Sequence, residues 1–187
     1  KANYIEMGFS IVPFKSIPHL SGSGYTVDTL KEADRAELIA AAGDPLIWAG
    51  HPATDRYKPE VFSKFMDFLL AAGGAVTIRH GQDVIGCSRY YDVPDQPNDI
   101  GIGFTFIARQ YWGGEANWTI KTLMHDYAFS QVSNIWFHIS PTNIRSQKAT
   151  AKLGAQFAYD AEMDLGTGRS LWKCYCLTKV NWLDWND

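Results

Sequence analysis

Two adjacent glycines, Gly113-Gly114, are the residues whose placement most directly suggests chemistry. They sit between a strand pattern and a helix pattern inside IGIGFTFIARQYWGGEANWTIKTLMHDYAF, residues 100–129. Upstream, Ile100, Ile102, Phe104 and Phe106 alternate with Gly101, Gly103 and Thr105. That period of two predicts a strand with one packed face and one nearly bare face. Downstream, Ile120, Leu123, Met124 and Tyr127 recur at i, i+3, i+4 and i+7, the stripe of a helix buried along one side. A helix that starts straight out of a glycine turn offers free N–H groups and the positive end of its dipole, which suits a phosphate or diphosphate. The bare strand face is a trough in which a thin ligand could lie along the backbone. A merely structural glycine turn has the same local pattern, so the rest of the chain must decide.

Other chemistries find little support. Cys87, Cys174 and Cys176 fall in strand patterns without a further Cys or His to complete a zinc set, so they read as buried, reduced thiols. The five histidines lack metal-ligand spacing, and no Gly-x-Ser-x-Gly elbow is present. A net charge of −3 argues against nucleic acid or an anionic membrane as partner. Trp48, Trp118, Trp136 and Trp172 then read as core or pocket wall. No apolar run reaches the roughly 20 residues that span a bilayer, and no charged-then-apolar signal segment opens the chain, so a cytoplasmic location is expected.

The elements that must position the glycine turn can be placed in order. At 187 residues the chain fits one domain with a sizeable core. Residues 1–24, with Pro13, Pro18 and a Ser-Gly-Ser-Gly run, read as a lead-in with a short strand at 9–12; residues 25–187 read as a single domain. A strand is predicted at 25–30, a helix at 33–42 behind polar N-cap residues, and a short helix at 45–49. A polar and aromatic loop at 50–57 leads to a helix at 59–72, opened by Pro59 and ended by Gly73-Gly74. Strands at 75–79 and 84–92 form a hairpin across His80-Gly81-Gln82-Asp83, and residues 93–99 form a loop into the organising strand. A strand at 135–139 follows, then a closing hairpin of 156–163 and 170–179 around Gly166-Thr167-Gly168, with Trp182 and Trp185 as tail anchors on the sheet. Helices on a mixed sheet account for this order.

Two segments are specific enough to resemble a known family. They are YWGG…N…K…L…AF from Tyr111 to Phe129, and N-x-x-S-x-K-A-x-x-K-L-G-A from Asn143 to Ala155. Together they resemble the GCN5-related N-acetyltransferase (GNAT) superfamily, closest to the branch of the ribosomal-protein N-terminal acetyltransferases. The resemblance implies an α+β fold layered α/β/α, with a mixed, mostly antiparallel twisted sheet of about seven strands. Helices would cover both faces, and a parallel central pair would splay apart. It implies acetyl-CoA as co-substrate, no metal, and a primary amine as acceptor, either a protein N-terminus or a small molecule, in a monomer or homodimer.

By the same resemblance, the backbone at Thr105, Phe106 and Ile107 would pair with the pantetheine arm. The amides of Trp112, Gly113, Gly114, Glu115, Ala116 and Asn117 would hold the diphosphate. Asn143 and Ser146 would touch the pantetheine near the sulfur, and Lys152 would reach the nucleotide end. The loop from His51 to Tyr57 stands where these enzymes build the acceptor pocket, which makes His51 and Tyr57 substrate-binding candidates.

The chain departs from the family pattern at three positions. Glu115 replaces the inner glycine of the loop; its charge favours the helix dipole but opposes a diphosphate, so it is expected to turn outward. Thr150 stands where many relatives place a tyrosine as general acid, and Gly101 where the related branch carries a carboxylate. Attack of an amine on a thioester needs chiefly alignment and a proton acceptor. His138 is the first candidate base, with Asp99, Tyr159 and His51 after it. Alternation puts Trp136, His138 and Ser140 on one face of their strand, and either face could be the one turned to the acceptor. The alternative function is a GNAT-fold sensor or scaffold that binds acyl-CoA without turnover.

Overall fold

The computed structural model describes residues 14–94 and 96–186. Its one sheet has eight strands in the order β1-β2-β3-β4-β5-β6-β8-β7. These are β1 (Leu20–Gly22), β2 (Tyr25–Thr29), β3 (Ala75–His80), β4 (Asp83–Val93), β5 (Gln96–Ile107), β6 (Asn134–Ile139), β7 (Gln156–Asp164) and β8 (Arg169–Thr178). Every neighbouring pair is antiparallel except β5 and β6, which run parallel. The helices are α1 (Arg35–Ala42), α2 (Pro45–Trp48), α3 (Pro59–Ala72), α4 (Glu115–Phe129), α5 (Ile144–Ala151) and α6 (Lys179–Asn186).

Two cores lie on the two faces of the sheet. On one face α1, α2 and α3 pack over Ala75, Val84, Cys87 and Phe106. The periodicity of α3 explains its seat: Phe62, Phe65, Met66 and Leu69 are all buried, at helical spacing. Pro59 occupies the first turn, and Gly73 ends the helix at φ +75. On the other face α4 and α6 cover Val27, Ile78, Ile100, Ile102 and Ile135. Ile120 and Met124 of α4 are buried as its stripe requires, while Leu123 and Tyr127 flank the core. Trp182 of α6 is buried there and donates its indole N–H to Asp126 at 2.7 Å.

The helix at 59–72 and both predicted hairpins stand where the sequence places them. Three differences are informative. The strand predicted at 9–12 lies outside the described residues. Within the lead-in, Ser23 (φ 51) and Gly24 (φ 82) turn β1 back onto β2, a turn with two left-handed residues that suits a tight hairpin. Phe14 and Ile17 are buried in the α4-side core, and β1 makes eight strands rather than about seven. The loop expected at 93–99 is shorter, because β5 already begins at Gln96. Of the cysteines, Cys87 and Cys174 are buried, Cys176 is half-buried, and all three are free thiols.

Candidate active site

The parallel pair is short. β5 and β6 are in register only at Ile100–Ile135 and Gly101–Trp136. Beyond that point β5 continues to Ile107 and β6 to Ile139 as separate edges. Asp99 holds the closed end: one carboxylate oxygen accepts from Asn134 Nδ2 at 3.1 Å and the other from Trp136 Nε1 at 2.8 Å. At 7% exposure, Asp99 is buried with both oxygens engaged by β6.

At the open end stands the glycine loop. Gly113 has φ +74, the region where a residue without Cβ is at ease, and a Cβ added to it or to Gly114 would meet nothing within 4 Å. Gly114 is the N-cap of α4 and supplies no side chain, so no cap competes for the first-turn N–H groups. Glu115 and Asn117 are exposed, and Ala116 is buried beneath them. Trp112 is 40% exposed and donates Nε1–H to the Ile107 carbonyl at 2.8 Å.

Facing the loop across the opening, the Asn143 side chain caps α5 by accepting from Ser146 N at 3.2 Å. Ser146 is half-buried, Lys152 at the far end of α5 is exposed, and Thr150 is buried. Arg145 ties the two sides together. Its guanidinium lies 4.5 Å from the Trp112 ring centre and donates to the Ile47 carbonyl at 2.8 Å. Free amides, open space and the cations Arg145 and Lys152 make this end fit a diphosphate. A groove of about 650 Å³ between α1–α2 and the ends of β4 and β5 fits one less well: Glu37, Asp44 and Asp83 line it against one cation, Arg109, which is paired with Asp44 at 2.6 Å.

The bare trough expected over Gly101, Gly103 and Thr105 is not there. A bulge between the Cys87 and Arg89 pairings shifts the register of β5, with Phe104 in the left-handed region at φ 56. Gly103 and Phe104 therefore both face the α3 side, and strict alternation resumes one residue out of step. Ile100 and Ile102 serve the α4-side core, whereas Phe106 serves the α3-side core. Thr105 is turned to the opposite face and hydrogen-bonds Ser88 at 2.7 Å. The space over the two glycines is taken by the Tyr91 ring: a Cβ on Gly101 would stand 2.3 Å from it, and one on Gly103 3.2 Å.

That ring leads to the first candidate base. The Tyr91 hydroxyl and His138 Nδ1 share a hydrogen bond of 2.7 Å, and His138 Nε2 is buried without a partner. Burial pulls the His138 imidazole down to about 4, so it is neutral at pH 7. Trp136 stacks at 6.5 Å on its other side, and the half-exposed Tyr159 ring lies 5.7 Å from Trp136. The α3 side is thus the face to which His138 belongs, through Tyr91 and Phe104 at 5.6 Å. His51 is also held neutral, pulled down to about 4 by burial and then by Arg56 and Arg145; its Nδ1 accepts from Ala53 N at 2.9 Å. Its ring meets Trp48 edge-on, and Tyr57 packs on the same α3-side core. The structure so brings Tyr91, His138, Trp136 and Tyr159 together, with His51 and Tyr57 at the α2–α3 end of the same face.

Sequence reasoning missed Tyr91, Arg56 and Arg89. A signal for Tyr91 was available. Once the hairpin is paired with β5, Tyr91 falls opposite Gly101, and a large ring beside two glycines is a natural fit. Arg56 and Arg89 carry no sequence signal of their own.

Comparison with known proteins accords with this geometry. Residues 26–156 match the sequence profile described as "Acetyltransferase (GNAT) domain". No curated protein matches the chain. Among solved structures, a GCN5-related N-acetyltransferase from Brucella melitensis is similar with a TM-score of 0.76 at 15% identity, over 92% of this chain and 84% of that one. The Mycobacterium smegmatis protein RimJ, in complex with CoA-disulfide, is similar with a TM-score of 0.62 at 13% identity, over 88% of each chain. The aminoglycoside acetyltransferase AAC(6')-Ib, in complex with coenzyme A and kanamycin, gives 0.64 at 15% identity, over 87% of this chain and 99% of that one. With a parallel pair that parts onto an uncapped helix start, and a family match over more than half its length, the chain belongs to the GNAT acetyltransferases.

Proposed function

We propose that this acetyltransferase moves an acetyl group from acetyl-CoA to a primary amine by direct attack in a ternary complex. The observation that carries the reading is the parting of β5 and β6 beyond Gly101–Trp136, which opens onto the uncapped start of α4. When bound, acetyl-CoA supplies an acetyl thioester. The amides of residues 112–117 take its diphosphate. The β5 edge from Thr105 to Ile107 takes the pantetheine arm, flanked by Asn143 and Ser146, and Lys152 stands toward the nucleotide end.

The amine reaches the thioester from the α3 side. An ammonium group first releases a proton, and the freed lone pair forms the C–N bond as the C–S bond breaks. The second amine proton passes to the departing sulfur, so the products are the amide and the CoA thiol. His138 is neutral and hydrogen-bonded to Tyr91, so it enters as a proton acceptor that the Tyr91 hydroxyl holds in place. Backbone N–H groups of the unpaired β5 edge stabilise the charge that develops on the thioester oxygen. Asp99 acts as a clasp between strands. At their identities, RimJ and the aminoglycoside acetyltransferase AAC(6')-Ib indicate only a shared fold, so neither supplies the acceptor of this chain.

The competing reading is a domain that binds acyl-CoA without turnover. Two observations favour it: Thr150 is buried, and the place of a carboxylate at Gly101 is filled by the Tyr91 ring. Calorimetry with CoA comes first, followed by thiol release from acetyl-CoA over a panel of amines and peptides. Binding with turnover of at least one amine is the expected result. Binding without any turnover would leave the sensor; no CoA binding would sink both readings.

A further inference from the structure

The face that holds His138 is unusual for an amine site. It is lined by rings and by two guanidiniums, and among the described residues no carboxylate is bonded to either. Arg89, on β4, is 9% exposed; its Nε donates to the Gly73 carbonyl at 2.9 Å, and its Nη1 is buried without any partner. Three rings surround it: Phe68 at 5.2 Å, Phe104 at 5.4 Å and Tyr91 at 5.8 Å. Arg56 is half-buried, with its guanidinium 3.9 Å from the Phe65 ring centre and 5.3 Å from that of Trp48. Among the described residues its guanidinium has no hydrogen bond and no ion pair, unlike Arg35, Arg79, Arg109 and Arg169.

The two arginines belong to one surface. Phe65, Phe68 and Phe104 contact one another at 5.5 to 6.3 Å, with Arg56 on Phe65 and Arg89 on Phe68 and Phe104. From Phe104 the contacts run to Tyr91 and then to His138. Beyond Phe68 the turn between β7 and β8 closes the wall, since a Cβ on Gly166 would stand 2.6 Å from the Phe68 ring. Ring faces attract the guanidiniums but leave Arg89 Nη1 and, among the described residues, the Arg56 guanidinium without a hydrogen-bond acceptor, and a buried unpaired charge is expensive. Burial drags Arg56 down to about 10, outweighing the upward pull of Cys87 and Asp55 nearby. An acceptor that is only a cation, such as a polyamine or an aminoglycoside, would meet repulsion here.

We infer that the acceptor is a small zwitterion with an apolar body, the chemical class of free α-amino acids with large or aromatic side chains, whose carboxylate is held by Arg56 and Arg89. This deepens the acetyl-transfer reading and rests on it for the placement of the amine near His138. The rings of Phe65, Phe68 and Phe104 take the apolar body. The carboxylate supplies the acceptor oxygens that Arg56 and Arg89 Nη1 lack.

The test separates acceptor class from turnover. The protein, saturated with CoA so that no reaction can occur, is titrated by calorimetry with phenylalanine, phenylalaninamide and 2-phenylethylamine. The first carries the carboxylate and the other two are its uncharged and deleted counterparts. Phenylalanine should bind about 10- to 100-fold more tightly than either. Arg56→Gln should remove most of that preference and leave the two amines unchanged. Arg89→Met, which keeps bulk against the rings, should do the same; because it also frees Gly73, its folding is checked by circular dichroism, and Arg56→Gln carries the test if it fails. Equal or tighter binding of the carboxylate-free amines, or no binding of any of the three, would overturn the inference. Selective binding of phenylalanine without acetylation would uphold it and instead defeat the proposed turnover.

Discussion

The position of the Tyr91 ring over Gly101 can be tested by adding one methyl group. In Gly101→Ala the new Cβ would stand 2.3 Å from Tyr91 Cε2, 2.5 Å from Cζ and 2.8 Å from Cδ2. Ordinary carbon contact begins near 3.5 Å, so the ring would have to move by more than ~1 Å. It has nowhere easy to go, with Phe104 on one side and His138 bonded to its hydroxyl. Overpacking of this kind costs about 1–3 kcal/mol, and a lost buried hydrogen bond adds about 1 kcal/mol. Removing a glycine from the unfolded chain works the other way by about 0.4–1 kcal/mol. The net is a destabilisation of about 1–3 kcal/mol, or a Tm lower by roughly 2–12 °C for a chain of this length. Urea denaturation followed by circular dichroism reads it. A double-mutant cycle with Tyr91→Ala adds the decisive comparison: removing the ring makes room for the methyl, so the double variant should be more stable than the summed costs imply by at least ~1 kcal/mol. A Gly101→Ala variant as stable as the parent, together with simple additivity, would refute the placement of the ring.

Two further outcomes concern the loop and the histidines. Gly113→Glu should weaken CoA binding at least ~10-fold by calorimetry, since it adds negative charge to a left-handed position among the expected diphosphate amides; unchanged affinity would put the diphosphate elsewhere. His138 and His125 are held neutral by burial, at about 4 and about 3, against about 6.5 in the unfolded chain. Their contribution to stability is therefore complete above pH 6.5 and is lost as pH falls below it, at up to ~1.4 kcal/mol per pH unit for each. Between pH 7 and pH 5 these two rings should take about 3–4 kcal/mol off the denaturation free energy and His51, likewise neutral at about 4, about 2 kcal/mol more; a flat profile would show that these rings are not buried as neutral bases.

The sequence made the architecture largely readable because its signals were local. Pro59 and Gly73 bracket α3, and Phe62, Phe65, Met66 and Leu69 declare its buried side; the glycine pair before Glu115 marks the start of α4. The trough over Gly101 and Gly103 was misread for a reason that alternation cannot reveal. A bulge inserts one residue, and every side chain after it changes face, so Thr105 parted company with the two glycines. The candidate site was legible in part. His138 and the loop residues follow from residue type and motif, whereas Tyr91 required cross-strand pairing. Arg56 and Arg89 become notable only through what they lack, and an absent partner is a property of three dimensions.

The irregular residue in β5 has a consequence for the whole sheet. Phe104 adopts a backbone conformation that bulky side chains avoid, and on its two sides the same strand supplies Ile102 to one hydrophobic layer and Phe106 to the other. Dropping Phe104 would remove the extra residue and restore even pleating with Phe106 still in its layer, so that deletion should cost the ring contacts of Phe104 rather than the register of the strand.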